Sequence, residues 1–227
     1  MQELLGQLSI RINDKLYLKD PDSSDLGRRI IQHSIELIDE IGFEKFTFKK
    51  LGARIHSPES TVYRYFENKH KLLIYLTSWY WGWMEYKLVF STVNIEDPVE
   101  QLKKAIQIVT EPVVEDSSFS HINEVRLYRI VISESTKAIF TKNVDEENKE
   151  GYFSGYKRLV NRISNMVQAV DPNFPFSHTL VSTLIEGTHQ QKFFSEHMPS
   201  LTDIRQDDAD IHRFFMGLTF SMLKHNE

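Results

Sequence analysis

The chain has 227 residues, 41% hydrophobic and 26% charged, with a formal net charge of −5 and no cysteine. That length supports a substantial core, and the missing cysteines exclude a disulfide framework, thiol catalysis and cysteine-ligated zinc. No apolar run reaches the roughly 20 residues that cross a bilayer, and the N-terminus lacks a basic start followed by an apolar stretch, so a cytoplasmic protein with no membrane partner is expected.

Residues 1–24 allow two readings. Ile10, Ile12, Leu16 and Leu18 alternate with polar residues around Asn13-Asp14-Lys15, which fits a small hairpin; Leu4, Leu5 and Leu8 opening a short helix ahead of an arm fits equally. From residue 25 onward the periodicity is helical throughout. Leu26, Ile30, Leu37, Ile38 and Ile41 recur at spacings of three and four, and Gly42 stands where a C-cap needs positive φ. Thr47 can cap a short helix carrying Leu51 and Ile55, and Ser57 a second, with Pro58 at its first position. Only His56 separates the two.

Asn68 then opens a long aromatic helix from Lys69 to about Phe90, and Asp97, Pro98 and Glu100 signal the next start. Further helices are expected at 98–114, 120–138, 143–169, 177–197 and 204–224, separated by polar or proline-containing breaks. The fold class is all-α.

Two short helices joined by a tight turn form the unit that places a recognition helix in a major groove. If Val62 and Phe66 face the core, a 3.6-residue period turns Ser60 and Arg64 outward, with Thr61 and Tyr63 on the flanks. A small residue permits close approach, and an arginine reaches a guanine edge or a phosphate. Spacing alone also fits a helical hairpin in an ordinary bundle, with Tyr63, Tyr65 and Phe66 all in the core. The acidity of the chain lies mostly outside this region. Residues 25–75 carry nine Lys and Arg against seven Asp and Glu, or +2, which leaves −7 for the rest of a chain of net −5.

The run FTFKKLGARIHSPESTVYRYFENKHKLL, residues 46–73, resembles the DNA-binding signature of the TetR family, in which a Thr-capped helix leads to a T-x-Y-x-Y-F recognition helix and then a lysine opening helix four. The resemblance covers residues 26–76. It implies an N-terminal three-helix DNA-binding domain (25–75, after an extension at 1–24) and a helical ligand-binding and dimerisation domain (76–227). It also implies phosphate contacts from Thr47, Thr61, Tyr63, Tyr65 and Lys69, and groove contacts from Pro58, Glu59, Ser60 and Arg64. Two positions depart from the family pattern. His56 stands where glycine is usual, so it must adopt a left-handed conformation or widen the turn, and Glu59 stands where many members carry lysine.

In the larger domain, Trp79, Trp83, Tyr86 and Phe90 form one helical stripe, either core or, with Tyr128, Tyr152 and Tyr156 as polar handles, the lining of an effector cavity. Leu180, Leu184 and Phe193, with Ile211, Phe214, Phe215, Leu218 and Met222, are candidates for the dimer interface on the last two helices. Glu186 and His189 lie three apart, but no second Glu-x-x-His accompanies them; no catalytic motif, metal site or cofactor is expected. The function implied is that of a homodimeric repressor on a palindromic operator. An unidentified small-molecule effector would release it by shifting helix four, which begins at Lys69 and carries Trp79. The alternative is an adaptor of the same fold that acts through a protein partner.

Overall fold

Residues 10–116, 119, 121–205 and 208–224 are described by a computed structural model, and every regular element among them is helical. The helices are α1 (Asp25–Ile41), α2 (Phe48–Arg54), α3 (Glu59–Val62), α4 (Lys69–Thr92), α5 (Pro98–Thr110), α6 (Glu124–Ile139), α7 (Val144–Lys149), α8 (Ser154–Val170), α9 (Ser177–His197) and α10 (Asp208–Lys224). Short 3-10 turns occur at Asp14–Leu16, Pro21–Ser23 and Pro199–Leu201. No helix among the described residues is long and apolar enough to cross a membrane.

The chain divides into two compact units. One gathers the chain up to Gly82 together with Val113–Ser154; the other takes Trp83–Pro112 and the chain from Gly155 onward. A boundary at 75/76 does not anticipate that α6 and α7 pack with the helix-turn-helix.

In the first unit, Ser24 caps α1 by accepting from Gly27 N at 3.2 Å, and Gly42 closes it at φ 77° by donating to Ile38 O. Ile30, Ile31, Ile35 and Ile38 are buried from this helix, each contributing about 1.5–3 kcal/mol of hydrophobic stabilisation. Its polar face meets α6, where Arg129 holds Asp39 through two hydrogen bonds of 2.7 and 2.6 Å.

Residues 10–24 form no hairpin. Asn13 caps a 3-10 turn by accepting from Lys15 N at 3.0 Å, Leu16 is buried, and Leu18 N donates to Tyr65 O at 2.8 Å. The backbone that a hairpin would pair with itself is therefore used against the recognition helix. The helix considered for Leu4, Leu5 and Leu8 lies outside the described residues.

The single helix expected at 143–169 is broken. α7 stops at Lys149, Gly151 adopts φ 81°, and α8 begins at Ser154. Tertiary contacts stabilise the break: Asn13 Nδ2 donates to Glu150 O at 2.7 Å and Ser78 Oγ to Tyr152 O at 3.0 Å. Two other boundaries also move inward, since α5 ends at Thr110 and Asn123 caps α6 by accepting from Arg126 N at 2.8 Å.

In the second unit, α10 packs on α5 and α9, burying Ile211, Phe215, Thr219 and Leu223 along one stripe. Glu186 accepts from the Tyr156 hydroxyl at 2.7 Å, whereas His189 lies on the buried face of α9. The two side chains do not converge on one site. Burial lowers the His189 imidazole from 6.5 to about 4. Between those pH values the unfolded chain binds the extra proton, so stability is fully present above 6.5 and falls as pH drops through the window. Acidification across it should remove on the order of 3 kcal/mol. Urea melts at both ends should show that loss, and in His189→Gln the difference should shrink accordingly.

Candidate nucleic-acid interface

Thr47 caps α2 by accepting from Lys50 N at 3.2 Å. The helix ends with Ser57 N donating to Gly52 O at 2.9 Å and His56 N to Ala53 O at 3.3 Å, a closure whose intervening residue is left-handed. His56 takes that conformation at φ 53°, so the turn stays tight without the usual glycine. Histidine is among the residues that tolerate it, at a cost of about 1 kcal/mol. Gly52 allows the next helix to come close: a Cβ there would lie 2.7 Å from Ser57 O and 3.2 Å from Glu59 N. The cap of α3 is Pro58, with no side-chain hydrogen bond, so Ser57 does not play the capping part expected of it.

The one-turn α3 buries Val62, and Phe66 just beyond it is buried as well, while Ser60 and Arg64 are exposed as the helical period requires. The Arg64 side chain has no hydrogen bond or ion pair among the described residues, so its guanidinium is available to a ligand. Tyr63 is 48% exposed and rests edge-on against Phe48 with ring centroids 4.9 Å apart. Thr47 and Pro58 are exposed, and Glu59 and Thr61 half-exposed. Lys45 and Lys49, which the sequence did not single out, are exposed on either side of Thr47.

Two residues expected on this surface do other work. Tyr65 is 2% exposed; its hydroxyl is hydrogen-bonded to Ser24 Oγ at 2.8 Å, and the Lys19 ammonium lies over its ring. A phosphate cannot reach it without removing that cover, so Tyr65 fixes the N-terminal strap to the recognition helix. Lys69 Nζ donates to the carbonyls of Phe43, Glu44 and Phe46 at 3.0, 3.3 and 3.4 Å and sits over the Phe43 ring. Its charge organises the loop before α2 rather than standing free.

The same loop is held by α6. Glu134 Oε1 accepts from Phe43 N at 3.0 Å, and Lys137 bridges Glu134 at 2.7 Å and Glu44 at 3.1 Å. The Lys137 hydrogen bond keeps the Glu44 carboxyl below its ordinary range. At the start of α4, His70 Nε2 donates to the buried Glu147 of α7 at 2.8 Å, and Lys71 is hydrogen-bonded to the Tyr152 hydroxyl. Segments more than sixty residues away in sequence thus clamp both ends of the helix-turn-helix.

The residues considered for an effector cavity separate between the units. Trp79, buried edge-on against Phe119, and Tyr128, stacked on Tyr80, belong to the first. Trp83, Tyr86, Phe90 and Tyr156 belong to the second, where Trp83 is buried and Phe90, 70% exposed, lines no enclosed space. The interface candidates divide as well. Leu180, Leu184, Ile211 and Phe215 are buried within their own chain, Phe193 is half-buried, and Phe214, Leu218 and Met222 are exposed at 54%, 37% and 39%.

Residues 30–76 match the family model described as bacterial regulatory proteins, tetR family. No curated protein matches the chain. Among solved structures, AibR in complex with isovaleryl coenzyme A and operator DNA is similar at 15% identity and a TM-score of 0.59, with 84% of this chain and 97% of that one covered. The fatty acid degradation regulator FadR from Bacillus halodurans is similar at 18% identity and a TM-score of 0.58, covering 83% and 93%. A putative TetR-family regulator from Mesorhizobium loti follows at 14% identity and 0.52, covering 87% and 95%. At these identities the likeness is one of fold.

Proposed function

Residues 30–76 make this chain a tetR-family regulatory protein, a DNA-binding regulator of transcription, and from that premise we propose that it is a homodimeric repressor released from a palindromic operator by a small-molecule effector. The observation that carries the DNA-binding surface is the outward pair of Ser60, on α3, and Arg64, in the turn that follows it, with Tyr63, Thr61 and the α2 cap Thr47 also turned to solvent, after the left-handed turn at His56. Arg64 reads a base edge or a phosphate, and the hydroxyls hold the backbone. Lys45 and Lys49 add phosphate contacts that strengthen binding to any sequence.

A two-fold dimer places two recognition helices about one DNA turn apart or a multiple of it. The exposed stripe of Phe214, Leu218 and Met222 on α10 supports a second copy of this chain as the occupant, because a single chain leaves these side chains in water. AibR holds an acyl coenzyme A and operator DNA in one complex, which supports a ligand-responsive reading of this fold. In this chain α6 is the mechanical link. Its C-terminal end carries Glu134 and Lys137, which hold the loop before α2, so displacement of α6 alters the placement of the recognition helix.

The test is a footprint on the promoter next to its own gene, repeated with Arg64→Ala. Affinity should fall by about 1–3 kcal/mol, with relaxed discrimination at the contacted base pair. An Arg64→Ala protein that binds and discriminates like the parent would eliminate this surface.

A further inference from the structure

Away from the recognition surface, the first unit contains a cavity of about 510 Å³ bounded by α1, the first turn of α6 and residues 115, 116, 119 and 121–123 before it. This volume is in the range of small-molecule sites. Four carboxylates line it, those of Glu36, Glu115, Asp116 and Glu124, together with the basic Arg126 and His121, the amides of Gln32 and Asn123 and the apolar Phe119 and Ile122.

Glu36 already has basic partners, and the basic side chains of the lining face acids outside it. Arg126 faces Asp39 and Glu40 at 3.8 and 3.7 Å, His121 lies 3.1 Å from Asp22, and Arg54 and His33 answer Glu36. Glu115 accepts from the neutral Asn123 amide at 2.5 Å. Glu124 is 1% exposed; its Oε2 accepts from Asp116 N at 3.2 Å, and its Oε1 is buried with no hydrogen-bond partner among the described residues. A buried carboxylate oxygen left without a donor is costly, and native proteins seldom keep one without a reason. Burial accordingly pushes the Glu124 carboxyl up, a penalty that a cation beside it would reverse. Among the described residues no three ligating side chains are arranged around a metal ion, and Phe119 and Ile122 supply the apolar part of the lining.

We propose that this cavity binds a small organic cation, an amine on an apolar body, with its ammonium donating to Glu124 Oε1 and its hydrocarbon against Phe119 and Ile122. Glu115 supplies a second negative charge at the mouth. The site is independent of whether the protein is a repressor. If it is one, the site lies at the N-terminal end of the same α6 whose C-terminal end holds the loop before α2.

Calorimetric titration of the full chain with 2-phenylethylamine, its isostere 2-phenylethanol and the anion 3-phenylpropionate tests this. The amine should bind about tenfold or more tighter than the alcohol, and the anion should not bind. Glu124→Gln should weaken the amine by a similar factor and leave the alcohol unchanged. Because Glu124 is buried, the exposed Glu115→Gln serves as a second variant that retains the fold and weakens the amine severalfold, while Glu111→Gln, outside the cavity, has no effect. Equal binding of amine and alcohol, no amine binding at millimolar concentration, or unchanged amine affinity in both cavity variants would each overturn the proposal. A footprint in the presence of the amine reports separately on operator release, so binding without release upholds the site and counts only against its role as the effector site.

Discussion

Gly52→Ala is expected to weaken operator binding about a hundredfold while leaving helix content unchanged. The added methyl would lie 2.7 Å from the carbonyl oxygen of Ser57 and 3.2 Å from the amide nitrogen of Glu59, and both obstacles are backbone. Rotamer adjustment cannot relieve the overlap; the turn itself must move. Overpacking of this kind costs about 1–3 kcal/mol of stability. The larger effect falls on DNA, because the displaced segment leads directly into α3. Breaking two interactions with base edges, at about 1.4 kcal/mol each, produces the hundredfold figure. Quantitative footprinting with circular dichroism on the same sample measures both consequences. Operator affinity within a few-fold of the parent would mean that the close approach of α2 and α3 does not set the recognition geometry.

Leu218→Arg is expected to convert the protein to a monomer and to lower operator affinity by about two to four orders of magnitude. Phe214, Leu218 and Met222 follow one another at a spacing of four on α10, all exposed, while Ile211, Phe215, Thr219 and Leu223 form the parallel buried stripe. A helix apolar on two faces has more surface than one chain covers. Placing a charge in the middle of the exposed stripe leaves the inward packing intact and opposes burial against a second copy. Binding of a second half-site is intramolecular in a dimer, and losing that linkage accounts for the large drop. Sedimentation of the variant and its parent at equal concentration, with footprints of both, provides the measurement. A Leu218→Arg protein that remains dimeric would place the interface elsewhere.

The comparison of Tyr65 with Arg64 shows how far local periodicity reaches. The 3.6-residue period turned Arg64 outward and Val62 and Phe66 inward, and the exposures agree. The family resemblance, not the period, put Tyr65 among the phosphate contacts; it is buried instead, because its partners are Ser24 and Leu18, roughly forty residues earlier in the chain. Lys69 is similar: its position at a helix start is local information, but the three carbonyls it holds belong to a loop before α2. Glu124 left no trace in the sequence, since an orphaned carboxylate oxygen is a property of what fails to pack around it.

By itself the sequence determined the helical class, the caps at Thr47, Asn68 and Asp97, the left-handed turn as one of two options at His56, and the outward stripe of Ser60 and Arg64. Each depends on backbone geometry and side chains within a few residues. Only the tertiary structure decided which option His56 takes, the break at Gly151, the grouping of α6 and α7 with the helix-turn-helix, and which apolar residues of α9 and α10 are already buried in their own chain. These depend on contacts between distant segments, where packing overrides local propensity because it buries more surface than a helical turn alone can stabilise.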